Sequence, residues 1–309
     1  MLSRIAESFF WIGRYLERAD ATARILDGHM ATLVEDPTVD EAAACRTVLQ
    51  VMGVEPDEGT HYDNDLVLRL LGHEPDEPSS MVYALGCARE SARRARETVS
   101  AEVWEAINTT WHAVSHGQLE TMRPHLASRL VVERVAMISG MVDGTMNHDE
   151  SWQFLTLGRH IERVDMTARL LSNASLSAGA STAWSSTLRA CGALEAFTRT
   201  YRGRLGQREA AEFLLLDRLF PRSVIHSLGR AEDCIHHLDA GRRSGQHGES
   251  AQLLGRARAE LEYRPLSDIL SDLAGEMERI QQRMTRASEA IASRYFPTPI
   301  AHSWQAGEA

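Results

Sequence analysis

Near the start of the chain the apolar residues Phe9, Ile12, Leu16, Ala19, Ala23 and Leu26 fall three and four positions apart. That spacing lines one face of a helix and predicts a single long helix over 3–34. The same reading predicts a second helix over 39–52, a turn rich in Gly, Pro and Asp over 53–59, and a short helix over 63–71. Pro75, Pro78 and the Ser79–Ser80 pair announce another start, because a serine hydroxyl accepts from the free amides of a first helical turn. The helix that follows should run over 81–99 and carry Arg89, Arg93, Arg94 and Arg96. Trp104, Ile107, Asn108 and Trp111 sit on the next helix, 130–141 form another, and 140–148 should be a connection. Beyond it the pattern predicts helices over 150–172, around Cys191 and over 266–294, with a Ser/Ala/Gly linker over 172–181 and a tail from 297. No stretch alternates as a strand bounded by hairpin turns. The fold class is all-α, a helical bundle of ten to twelve helices.

The polar positions add something the apolar stripe does not. The stretch F-F-W-I-G-R-Y-L-E-R-A-D-A-T-A-R-I-L, starting at Phe9, returns at Phe154 as F-L-T-L-G-R-H-I-E-R-V-D-M-T-A-R-L-L, with ten of eighteen positions identical. Apolar positions drift within type, whereas Arg14/Arg159, Glu17/Glu162, Arg18/Arg163, Asp20/Asp165 and Arg24/Arg169 are all kept. Further matches continue downstream: Cys191 lies 146 residues after Cys45, and the segment from Pro221 aligns with that from Pro78. The chain therefore reads as one domain over 1–309, with internal repeats of about 1–145 and 146–296 and a tail over 297–309. Copies of one unit bury their shared face on each other, so the two halves should be related by a pseudo-two-fold axis with the motif helices as neighbours.

What the charges do is open to two readings. On a helix, 13, 17, 20 and 24 share a face, with 14 and 18 beside them. Arg14 with Glu17, and Asp20 with Arg24, have the spacing of paired charges. Exposed pairs of that kind contribute only about 0.3–0.5 kcal/mol each, too little to hold five positions twice. In one reading Glu17 and Arg18 are partly buried and pair across the axis with Arg163 and Glu162, where losing one partner costs about 3–5 kcal/mol. In the other, Arg14, Arg18, Arg159 and Arg163 present planar forks to a carboxylate or phosphate, and Glu17 or Glu162 serves as a catalytic base.

Composition narrows the chemistry. The net charge of −10 argues against nucleic acid as the main partner. No apolar run approaches the roughly 18 residues of a membrane span, and the first turns carry Arg4 and Glu7 rather than a leader, so a cytoplasmic protein is expected. All 33 basic residues are arginine, which excludes Schiff-base and phosphate-loop lysines. The four cysteines lack a C-x-x-C pair and read as small buried side chains.

Other chemistries are weaker. A di-iron site needs a Glu-x-x-His pair on each of two helices. Only Glu58 with His61 in a turn, and the near-match Asp233 with His236, come close, so no metal or other cofactor is called for. Phosphate-loop, dinucleotide and Gly-x-Ser-x-Gly signatures are absent. Trp104 with Asn108, one turn apart, could line a groove.

The opening M-L-S-R-I-A-E-S-F-F-W-I-G-R-Y-L-E-R-A-D-A-T-A-R-I-L resembles the N-terminal signature of the bacterial Alpha-E proteins, a helical family named for a Glu-Arg motif. Trp104-Glu105 with Asn108, the second motif copy, and F-P-R-S-V over 220–224, including Arg222, match as well. The resemblance covers 1–296 and carries the Glu-Arg pair onto Glu17–Arg18 and Glu162–Arg163; His160 is a departure. It implies a protein that works with a circularly permuted ATP-grasp ligase, sometimes fused to it, and with a transglutaminase-like peptidase. Peptide or amide-bond synthesis or modification follows as the context, with a peptide or acidic small molecule as substrate. Three roles are carried forward: a helical partner binding that substrate through the Arg/Glu cluster, an enzyme with glutamate as base, and a scaffold whose motif is a buried salt-bridge network.

Overall fold

The computed structural model describes residues 2–35, 37–57, 59–176, 181–202, 204–240 and 248–297. Among them there is no strand, and fifteen α-helices are joined by one π-helical turn. The first half holds α1 (Ser3–Glu35), α2 (Glu41–Met52), α3 (Asn64–Val67), the π turn (Leu68–His73), α4 (Met81–Arg94), α5 (Ala101–Val114), α6 (Gln118–Thr121) and α7 (Pro124–Thr145). The second holds α8 (Glu150–Leu176), α9 (Ser181–Ala190), α10 (Leu194–Tyr201), α11 (Gln207–Leu216), α12 (Val224–Asp239), α13 (Glu249–Tyr263), α14 (Leu266–Ser271) and α15 (Leu273–Tyr295).

The helix count exceeds the expected ten to twelve because α3, α6 and α14 are pieces of four to six residues, too short to show a period. Several boundaries differ as well. The helix from Met81 stops at Arg94, not at 99. Positions 140–145 continue α7 instead of forming a connection. The expected linker from 172 is helical as far as Leu176; 177–180 lie outside the described residues, as do Asp36, Glu58 and 298–309. Cys191 lies one residue beyond α9, in the turn. The final long helix is two, because Asp272 leaves helical geometry and caps α15 by accepting from the Gly275 amide. Asp is a strong N-cap, so the break was encoded but hidden inside an otherwise helical pattern.

Helix α1 and helix α8 form the centre. Around α1 pack α4, α7 and α9; around α8 pack α12 and α15. The stripe read from the sequence is the buried one: Phe9, Ile12, Ala19, Ala23 and Leu26 are almost fully covered. At the crossing the backbones touch. A Cβ on Gly13 would lie 2.0 Å from the Leu155 carbonyl oxygen, and one on Gly158 would lie 2.0 Å from that of Phe10. Only glycine permits that approach.

Matching bonds recur at matching positions. Ser80 caps α4 by accepting from Tyr83 and donates to the Glu74 carbonyl; Ser223 caps α12 by accepting from His226 and donates to that of Asp217. Buried Thr22 donates to the Ser79 carbonyl at 3.2 Å, and Thr167 to that of Arg222 at 3.2 Å. Each motif threonine thereby pins the segment that starts a neighbouring helix.

Candidate functional site

The motif charges meet between α1 and α8, and the carboxylates lie inside. Glu17 and Glu162 are 4% and 1% exposed. Arg163 grips Glu17 with Nε at 2.8 Å and Nη2 at 2.6 Å, and Arg222 adds Nη1 at 2.6 Å. Glu162 takes Arg14 through Nε and Nη2, both at 2.7 Å, and Arg18 through Nε at 2.6 Å. Each buried carboxylate thus accepts three charge-assisted bonds from the opposite half, which is what makes burying it tolerable. Arg14 and Glu17 do not pair with each other as their spacing suggested: Arg14 reaches across to α8 and donates its remaining Nη1 to Ser288 at 2.9 Å.

Further along, Asp20 accepts from Arg24 Nε at 2.9 Å and also from Arg222. Asp165 accepts from Arg169 Nε at 2.8 Å. The first is the expected i,i+4 pair, and the second is its counterpart in the other motif. Their guanidinium groups continue outward to the ends of other helices. Arg169 Nη1 donates to the Val51 carbonyl in the last turn of α2, at 3.4 Å, and Arg24 lies against Gly192, just after α9. A cation there suits the negative end of a helix.

The electrostatics follow from this packing. Burial pushes the Glu17 carboxyl up, but the Arg163 and Arg222 charges outweigh it and hold it far below the usual carboxylate range. Glu162 is held down in the same way, burial being outweighed by Arg14 and Arg18. Burial works against the charge on Arg222, yet Glu17 and Asp20 overcome it and raise its pKa. Asp165 goes the other way: burial raises it, and Arg169 offsets only part. Glu17 and Glu162 are therefore firmly ionised, fully bonded and sealed, which makes each a poor proton acceptor.

The two carboxylates differ in the source of their third bond. Arg222, with Ser79 at the aligned position of the first half, occupies the third bond on Glu17. Among the described residues Arg159 has a single long hydrogen bond, 3.5 Å to Asp143, and its Nη2 is buried without a partner. Burial lowers its pKa, and Asp143 only partly compensates. Neighbouring His160 is buried and held neutral, first by burial and then by the Arg163 and Arg159 charges.

Of the residues singled out from sequence, Arg14, Arg18 and Glu162 form one ionic cluster, and Glu17, Asp20, Arg24, Arg163 and Arg222 form a second. Asp165 and Arg169 form their own pair, and Arg159 turns to Asp143. Trp104 and Asn108 belong to another place on α4 and α5. There Arg89 donates to Asn108 at 2.8 Å, and Arg89 and Arg96 lie over the Trp104 ring. Sequence reasoning missed Ser288 and the aromatic pair Trp11–Tyr15. Those rings stack on each other at 5.3 Å, with Arg14 and Arg18 at 5.5 and 5.8 Å from their ring centroids; the i,i+4 spacing of the two aromatics next to the motif arginines was the available signal.

Among the described residues no group of three or more His, Cys, Asp or Glu side chains could hold a metal, and no helix is long and apolar enough to cross a membrane. Glu58 of the Glu-x-x-His match lies outside them.

Residues 1–296 match the Alpha-E family, described as a predicted alpha-helical domain with a conserved ER motif. This chain belongs to the Alpha-E family. Similar proteins include uncharacterised proteins of Mycobacterium bovis and of Mycobacterium tuberculosis strain CDC 1551, each 28% identical over 256 residues, and one of M. tuberculosis strain H37Rv at 27%. The match covers 74% of this chain and only 29% of each relative. No solved structure matches the chain.

Proposed function

We propose that this Alpha-E chain is a helical partner protein of an ATP-grasp amide or peptide ligase system, and that its Glu-Arg motif is an ionic pin joining α1 to α8. The observation that carries the second part is the sealing of Glu17 and Glu162, each under three guanidinium donors. A general base must exchange a proton with its substrate, and these carboxylates are held ionised away from solvent. The reading of glutamate as base therefore finds no support in the geometry, and the buried-network reading finds much.

The matched serine caps, threonine bonds and reciprocal glycine contacts support an internal duplication with a pseudo-two-fold axis near Gly13 and Gly158. The ligase partnership rests on the family resemblance. It is in keeping with relatives in which most of the chain lies outside the matched part. A transglutaminase-like peptidase is a further partner in this proposal, and the substrate class is a peptide or an acidic small molecule.

The test is co-purification of the chain with the ATP-grasp ligase of the same cell at micromolar concentration, alongside a reconstituted reaction with Glu17→Gln. A stable complex and product formation limited only by folding of the variant are expected. Failure to associate would remove the partnership. A well-folded Glu17→Gln protein that abolishes turnover would return glutamate to the role of base.

A further inference from the structure

Between α1 and α4 a pocket of ≈ 370 Å³ opens next to the ionic pin. Its wall includes Trp11, Tyr15 and Cys87, and Arg4, Glu7, Glu90 and Arg94 lie around it. The volume is at the small end of ligand sites, roughly 300–1,000 Å³. Trp11 and Tyr15 are only partly buried, although they pack against the core. On them rest Arg14 and Arg18, both clamped by Glu162. The motif therefore supports this aromatic wall from behind.

The rim carries both signs of charge. Arg4 and Glu7 are exposed and have no ion pair among the described residues. Across the pocket, Glu90 holds Arg93 at 2.7 Å and Arg94 at a looser 3.5 Å, with both arginines largely in solvent. In the second half Thr156 and His160 stand where Trp11 and Tyr15 do, and both are buried.

We infer that the α1–α4 pocket is a binding site for a short peptide with free ends, its carboxylate met by Arg4 or Arg94, its ammonium by Glu7 or Glu90, and its body laid on Trp11 and Tyr15. This deepens the proposed function, on which its peptide class rests. It moves substrate binding from the pin arginines, which are committed to Glu17 and Glu162, to the pocket they support. Two acids and two bases around an aromatic wall match a zwitterion better than a simple anion. Planar amides and aromatic side chains both pack well on such rings.

The experiment is calorimetric titration of the full chain with alanyl-phenylalanyl-alanine, its N-acetylated form and its C-amidated form. The free peptide should bind, and each capped form should bind about tenfold more weakly, the scale of one lost charge-assisted contact. In Arg4→Gln/Arg94→Gln the free and amidated peptides should become equivalent. In Glu7→Gln/Glu90→Gln the free and acetylated peptides should become equivalent. These four positions lie on the surface, so the variants keep the fold even if Trp11→Ala does not. Absence of binding at millimolar free peptide, or capping effects that survive both double variants, would overturn the inference. A chain that holds the ligase but not the peptide loses the pocket and keeps the partnership; the converse result does the reverse.

Discussion

Replacing Glu162 by leucine removes the acceptor of three guanidinium bonds at once. Arg14 and Arg18, whose side chains are 13% and 24% exposed, would then face an apolar side chain with no counter-charge. Breaking a buried pair from one side costs about 3–5 kcal/mol. The lower end applies here, about 3 kcal/mol, because each guanidinium keeps an edge in water and Arg14 keeps its bond to Ser288. Restoring neutrality with Arg18→Met alone is not enough, since Arg14 also depends on Glu162. The full replacement is Arg14→Met, Arg18→Met and Glu162→Leu together, and that triple variant should return to within about 1 kcal/mol of the native protein. Urea unfolding at neutral pH, followed by far-ultraviolet circular dichroism, gives every corner of the cycle. A Glu162→Leu cost below about 1 kcal/mol, or a triple variant as unstable as the sum of its single changes, would refute the ionic-pin argument.

The remaining expectations concern pH, the helix crossing and the thiols. Glu17 and Glu162 titrate lower when folded than the unfolded value of about 4.3. The unfolded state thus binds more protons below that pH, and the stability they contribute is present above it and lost as pH falls. Asp165, raised on folding, acts with the opposite sign and blunts the slope; acid titration of Glu162→Gln should show a visibly shallower loss than the native chain. Gly13→Ala and Gly158→Ala each drive a Cβ against a backbone carbonyl that cannot rotate away, and should each cost about 3 kcal/mol or more in thermal unfolding; a change within the error of the melt would contradict the close crossing. Burial holds the Cys45 thiol up at about 11, and those of Cys191 and Cys234 at about 12. Ellman's reagent should therefore find one fast thiol in the native protein, Cys87, and all four after denaturation, with Cys87→Ser removing the fast phase.

Much of the candidate site was legible before any coordinates. The i,i+4 pair Asp20–Arg24 follows from helix geometry alone, and the Ser79–Ser80 pair announced a capped helix start. The retention of Glu17–Arg18 and Glu162–Arg163 in two copies implied a shared contact, and the reading in which each glutamate meets the other copy's arginine describes Glu17 with Arg163 and Glu162 with Arg18. Arg222 stands out in the sequence through the segment aligned with that from Pro78 and through a family motif; nothing local says that a residue 205 positions from Glu17 closes the bond set of that carboxylate.

The sequence by itself determined the helical class, the stripe that α1 buries and the charges that had to be satisfied, because a helix's period and its short-range pairs are properties of neighbouring residues. Tertiary structure alone decided that Gly13 and Gly158 bring two backbones into contact, that Arg222 displaces Arg159 from Glu17, and that Trp11 and Tyr15 wall an open pocket while Thr156 and His160 are covered. Those outcomes depend on where distant helices come to lie. A guanidinium is committed to a carboxylate or left to water by that placement, and local spacing carries no record of it.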